Sequence, residues 1–225
     1  MNKNEYDRMI KEHLKNLSIN NSIPNDHVLY LKKLKDEGFE PKVIYDIGSC
    51  VLNWVKEAKK LWPTAKYILF DAYDKVEFLY KDYDYHIGVL SDKDNKFVKF
   101  YQSDEHPGGN SYYKEVGSNL SNNIFTEEKA VYKLCKTLDT VVREKGFPSP
   151  DLIKMDVQGS EMDIIKGGRN TISKCEHLIV ELQDSIYNLG APLADKTLPY
   201  IESLGWSISN ESRFSWSASF ADWRS

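Results

Sequence analysis

The chain has 225 residues, of which 41% are hydrophobic and 28% charged, proportions that suit one globular domain with a sizeable core. A net charge of −4 argues against a dedicated nucleic-acid binder, whose phosphate contacts need a basic surface. No run reaches the ~18 apolar residues of a membrane span, and Met1-Asn2-Lys3-Asn4-Glu5 leads into no apolar stretch of the kind a secretory signal needs.

In chain order, the first twenty-odd residues carry Met9, Ile10, Leu14 and Leu17 at helical spacing and read as a surface helix lying on the main domain, or an arm. Asn20 to Asn25 breaks it, and Asp26 is expected to cap a second helix bearing Val28, Leu31 and Leu34, closed by Gly38. From Pro41 the texture changes. Val43-Ile44-Tyr45-Asp46-Ile47 reads as a strand, Gly48 as a turn, and Val51, Val55, Ala58 and Leu61 as one face of a helix. Tyr67-Ile68-Leu69-Phe70, a helical stretch over 74–82 and a strand over His86–Leu90 continue an alternation that predicts an α/β domain with a parallel sheet. Phe97–Tyr101 alternates like an exposed strand beside a small hairpin, and 102–123 reads as a long functional loop. A helix over 138–145, the strand Asp151–Val157, a helix over 160–166, the strand His177–Leu182 and a helix near 194–204 follow. An antiparallel pair, Trp206–Ser209 with Phe214–Phe220, ends the chain. The expected division is a helical extension over 1–39 and one domain over 40–225.

Three widely separated cysteines, Cys50, Cys135 and Cys175, offer neither a zinc spacing nor an even disulfide set, so a reducing cytoplasm is the expected compartment. The carboxylates show no metal-loop spacing, and no metal is expected.

Three strands end in an acid, Asp46, Asp71 and Asp156, and a fourth carries Glu181 near its end. In an open doubly wound sheet these ends form the ligand crevice. A dinucleotide fingerprint starting at Gly48 needs glycine at 50 and 53, where the chain has Cys50 and Asn53. That counts against NAD or FAD. S-adenosylmethionine has no phosphate: Asp46 can face its ammonium end, Gly48 permits close approach, and Asp71 can accept both ribose hydroxyls. A nicotinamide-dependent oxidoreductase or epimerase, and a non-catalytic binding module on the same fold, remain alternatives.

The run Ile153-Lys154-Met155-Asp156-Val157-Gln158-Gly159-Ser160-Glu161, with Ile164-Ile165-Lys166-Gly167-Gly168, resembles the signature block of FkbM-type methyltransferases. Lys136-Thr137-Leu138-Asp139 resembles the segment that introduces it. Val43 to Gly48, Phe70-Asp71-Ala72 and Leu90-Ser91-Asp92 fall in the family's order, so the resemblance covers about residues 40–185. It implies a class I, Rossmann-like, S-adenosylmethionine-dependent O-methyltransferase with a mostly parallel seven-stranded sheet whose last hairpin supplies an antiparallel strand. It also implies cofactor contacts from Asp46, Gly48, Ser49, Asp71, Ala72, Leu90 and Ser91, and a hydroxyl acceptor on a small molecule or glycan. Two departures stand out. The first motif commonly has a further glycine after alanine or asparagine, where Ser49-Cys50-Val51-Leu52 intervenes, and the acid after the second strand is usually glutamate.

Methyl transfer to an aliphatic hydroxyl needs alignment, dryness and a group to take the proton. Asp156 is the first candidate for that base. Glu161, which also suits a helix first turn, and His106, in the glycine-bearing loop His106–Ser111, are further candidates. Tyr112-Tyr113 is expected either to stack on a sugar ring or to anchor the loop.

Overall fold

The computed structural model describes residues 2–117, 121–211 and 217–223. Helix α1 (Lys3–Asn20) begins with a reciprocal capping box between Asn2 and Glu5. Helix α2 (Asn25–Asp36) is entered through Pro24, so Asp26 is not its cap; it lies in the first turn, where the helix dipole favours an acid, and accepts from the His27 amide. There follow β1 (Val43–Ile47), α3 (Asn53–Leu61), β2 (Lys66–Asp71), a 3-10 turn (Asp74–Leu79), β3 (Asp84–Ile87), β4 (Val89–Leu90) and β5 (Phe97–Phe100). The second half comprises α4 (Ser121–Ile124), β6 (Val131–Lys136), α5 (Leu138–Lys145), β7 (Leu152–Met155), α6 (Glu161–Gly167) and α7 (Arg169–Ile172). It ends with β8 (His177–Leu182), α8 (Ala194–Ser203), β9 (Trp206–Glu211) and β10 (Ser217–Trp223).

The main sheet has seven strands in the order β3-β2-β1-β7-β8-β10-β9. Five of them, β3, β2, β1, β7 and β8, pair in parallel, and β10 runs antiparallel to both β8 and β9. This is the class I α/β arrangement with its C-terminal hairpin. The hairpin's second strand is described from Ser217; Phe214 and Trp216 of the expected strand lie outside the described residues. Strand order reverses at β1, between β2 and β7, so a crevice opens at the carboxyl ends of β1 and β7.

Two expectations change. The strand expected over His86–Leu90 divides at Gly88, its first part joining the main sheet as β3 and its second entering a separate sheet, β4-β6-β5. Phe97–Phe100 pairs with β6, some thirty residues on, rather than in a local hairpin.

Alternate residues of the central strands feed cores on the two faces of the sheet. Ile44 and Leu69 pack with Ile10, Leu14, Tyr30, Leu31 and Leu34 of α1 and α2. Tyr45, Ile47, Ile68 and Phe70 pack with Ile153, Met155, Ile164 and Val180. The N-terminal helices therefore cover one face, and Leu14 is fully buried; burying one such side chain contributes about 1.5–3 kcal/mol. Among the described residues no helix is long and apolar enough to cross a membrane.

Candidate active site

Strand register explains how four charged groups meet. Asp46 on β1 lies abreast of Lys154 on β7. Met155 lies abreast of Val180, so the next residues, Asp156 and Glu181, emerge side by side. The pleat puts Lys154 and Asp156 on one face. The Lys154 ammonium stands 3.1 Å from Asp46 Oδ1 and 3.7 Å from Asp156 Oδ2, and donates to the Gly48 carbonyl oxygen at 3.0 Å. Glu181 shares a side-chain hydrogen bond with Asp156; burial first, and then the Asp156 charge, push its carboxyl well above the usual range. The ladder reads acid, base, acid, acid.

The turn after β1 is built for close approach. The amides of Gly48 and Ser49 both donate to the Phe70 carbonyl, at 2.9 and 3.1 Å. Gly48 has φ +80°, and a Cβ there would overlap the Asp156 carbonyl oxygen. Cys50 (φ 42°) and Leu52 (φ 69°) hold a left-handed conformation that only glycine adopts without penalty. Asp71 closes the turn: its Oδ2 accepts from the Cys50 amide at 2.7 Å and its Oδ1 from the Tyr73 amide at 2.8 Å. Burial pushes the Asp71 carboxyl up, and the two amides oppose that shift. Tyr80 donates its hydroxyl to the Cys50 carbonyl at 2.7 Å.

Two cavities open here, one of about 490 Å³ and one of about 90 Å³. They share Gly48, Cys50, Pro107, Gly108 and Asp156 as a common wall. Asp71, Ala72, Leu90, Phe100 and Tyr112 line the smaller pocket. The larger cleft is walled by the α1–α2 connection, by the α3 N-terminus at Asn53 and Trp54, by residues 105–109, and by Lys154, Asp156 and Glu181.

The structure thus gathers Gly48, Ser49, Asp71, Ala72, Leu90, Asp156 and His106 around these cavities. Three expected residues lie elsewhere. Asp46 is fully buried and lines neither cavity. Its partner is Lys154, because β1 and β7 set the two abreast, so it cannot face an ammonium group of a ligand. Ser91 is also fully buried, with its hydroxyl on Asp92 and its carbonyl against Gly167. Glu161 accepts from the Val157 amide at 2.9 Å and borders a separate cavity of about 30 Å³ behind Asp156. Burial, opposed by that amide, pushes its carboxyl up to about 7. It holds the 157–160 turn and does not touch the larger cleft.

Tyr112 and Tyr113 anchor the central loop, donating to Asp163 at 2.9 and 2.8 Å. Three features escaped sequence reasoning: the buried Lys154, His27, and the cleft wall made by the α1–α2 connection. A lysine flanked by apolar residues inside a strand was the available signal for the first.

The FkbM methyltransferase domain matches residues 3–208. The chain belongs to this family. Over 59 residues it is 42% identical to the 2-O-methyltransferase NoeI of Sinorhizobium fredii, a match covering 26% of this chain and 24% of that protein. The chain therefore spans about a quarter of the curated relative's length. Among solved structures it is similar to human N-acetylserotonin methyltransferase in complex with SAM, with a TM-score of 0.50 and 13% identity, covering 97% of this chain and 57% of that one. It is also similar to a precorrin-6y C5,15-methyltransferase from Geobacter metallireducens, with a TM-score of 0.46 and 13% identity, covering 88% and 87%. The run from Ile153 to Glu161 leads from β7 into the first residue of α6; Lys154 lies on β7 and Asp156 just beyond its end.

Proposed function

We propose that the protein transfers a methyl group from S-adenosylmethionine to a hydroxyl of a saccharide or similar polyol. The observation that carries this reading is the junction of the two cavities at Gly48 and Asp156.

The residues present fit the donor. Asp71 has acceptor capacity left for a ribose hydroxyl, since its Oδ1 accepts only the Tyr73 amide, while its Oδ2 accepts the Cys50 amide and has the Tyr80 hydroxyl at 3.5 Å. Ala72, Leu90 and Phe100 offer apolar walls to a base. The glycine turn and the α3 N-terminus, whose amides favour a carboxylate, suit the amino-acid end. Asp156, on the wall common to both cavities, gives the junction a negative charge that suits a sulfonium. When bound, the donor supplies a methyl group on positive sulfur; the oxygen–carbon bond forms as the carbon–sulfur bond breaks, its electron pair returning to sulfur.

The protein's part is alignment and proton removal. Of the two acids beside Lys154, Asp156, with its side chain 29% exposed against 0% for Asp46, is the one that reaches the cleft. Lys154 and the Gln158 amide, at 3.0 Å, fix its orientation. It takes the hydroxyl proton during attack, a role worth about 10²–10⁴ in rate. His106 stands on the exposed rim of the same cleft. The 2-O-methyltransferase name of the relative supports oxygen as the acceptor atom.

Calorimetric titration with S-adenosylmethionine, S-adenosylhomocysteine and NADH tests the reading. Micromolar binding of the first two alone supports it; binding of NADH alone, or of none, overturns it.

A further inference from the structure

The cleft that receives the acceptor is lined by the carboxylates of Glu105, Glu115 and Asp156, and by Glu181, whose carboxyl burial holds towards the neutral form. Among its described lining residues Lys154 is the sole lysine or arginine, and it is committed to Asp46, Asp156 and the Gly48 carbonyl. Neither smaller cavity adds a lysine or arginine. His27 is buried at the back wall, and burial together with the Lys154 charge holds its imidazole below its ordinary value, towards the neutral form. The α3 N-terminus favours an anion, but it adjoins the donor turn, where the donor's own carboxylate takes it.

Recognition of a phosphate, diphosphate or uronate relies on arginine or lysine, whose charge-assisted bonds replace the water such groups lose. Here an anionic acceptor would lose that water against carboxylates of like sign. A hydroxyl or ammonium group, by contrast, finds acceptor oxygens on several walls.

We infer that the acceptor is an uncharged or amine-bearing saccharide, and that the cleft selects against sugar phosphates, nucleoside-diphosphate sugars and uronates. This inference rests on the methyl-transfer reading for its substrate, while the charge selection belongs to the cleft itself.

Two measurements separate the inference from that reading. Ser22 lies on the exposed lip of the cleft. In the full-length Ser22→Cys protein, labelling by a trimethylammonium-ethyl methanethiosulfonate and by its sulfonato-ethyl counterpart is followed by peptide mass spectrometry at low ionic strength. The cationic reagent should react at least about tenfold faster, and adding Glu105→Gln and Glu115→Gln should bring the two rates together. Equal rates, or a faster anionic reagent, overturn the inference.

Alongside, release of S-adenosylhomocysteine is measured with methyl glycosides, amino sugars, and their phosphate and uronate counterparts. Adding the anionic group should lower kcat/KM about tenfold or more, a loss of about 1.4 kcal/mol. An anionic acceptor used as well as its uncharged parent overturns the inference. Cationic preference at Ser22→Cys with no methylation across the panel supports the charge selection and counts against the saccharide reading instead.

Discussion

Lys154 donates to the carbonyl oxygen of Gly48 while pairing with Asp46 beneath it. One buried cation therefore ties the turn after β1 to the strand that leads into Asp156. Removing one member of a buried pair leaves the other charge uncompensated, at a cost of about 3–5 kcal/mol. Lys154→Met should lose about that much stability in urea unfolding at neutral pH, and less at acid pH, where Asp46, raised by burial, can take a proton. A loss below about 1 kcal/mol at neutral pH would show that the ion pair does not hold the site together.

Glu161 makes stability depend on pH in a direction opposite to an ordinary surface acid. Its carboxyl is held at about 7 against an ordinary 4.5, so the folded protein binds the proton more tightly than the unfolded chain. The associated stability is fully present below pH 4.5 and is lost as pH rises through 7, by at most on the order of 3 kcal/mol. Glu161→Gln keeps an acceptor for the Val157 amide and should flatten the decline between pH 5 and 8. Identical pH profiles for the two proteins would remove Glu161 as its source.

Asp71→Ala removes the acceptor of two turn amides and the group proposed to face the donor's ribose. Affinity for S-adenosylmethionine should fall at least about tenfold, the worth of one charge-assisted hydrogen bond, with Asp71→Asn intermediate. An alanine variant that binds the donor like wild type would take Asp71 out of the donor site.

Asp156→Asn preserves shape and removes basicity. With an acceptor from the saccharide panel, turnover should drop about 10²–10⁴ while donor affinity, read by calorimetry, changes no more than about threefold, well under 1.4 kcal/mol. Undiminished turnover assigns the proton to another group.

Leu52→Gly sets two effects against each other. Relief of a left-handed non-glycine residue is worth about 1–2 kcal/mol. Loss of a leucine that is 6% exposed costs about 2–5 kcal/mol. Packing wins, so the melting temperature should fall; a rise would mean that the strain at this turn exceeds its burial.

Strands β1, β2, β7 and β8 were legible because each is a short apolar run rich in β-branched and aromatic residues, and Gly48, Asp71 and Asp156 because acids and glycine end such runs; β3, with Asp84 and His86 in its four residues, was not bounded correctly. Strand β6 was not legible, since Tyr132 is 71% exposed and Leu134 44%, and its pairing with β5 spans the central loop. The reading of Asp46 failed for a related reason. Nothing local distinguishes an acid facing the crevice from one facing Lys154, about a hundred residues away; only the β1–β7 register does. Asp26 misled because a cap and a first-turn acid have the same composition.

Pro107 and Gly108 border both cavities, those proposed to take the donor and the acceptor. A ligand that repositions this segment from one side changes affinity on the other, and equilibrium reciprocity makes the factor the same in both directions. Donor affinity is then a property of the loaded pair: an acceptor analogue that fits well should slow the departure of the demethylated product, and a poor one should leave it unchanged.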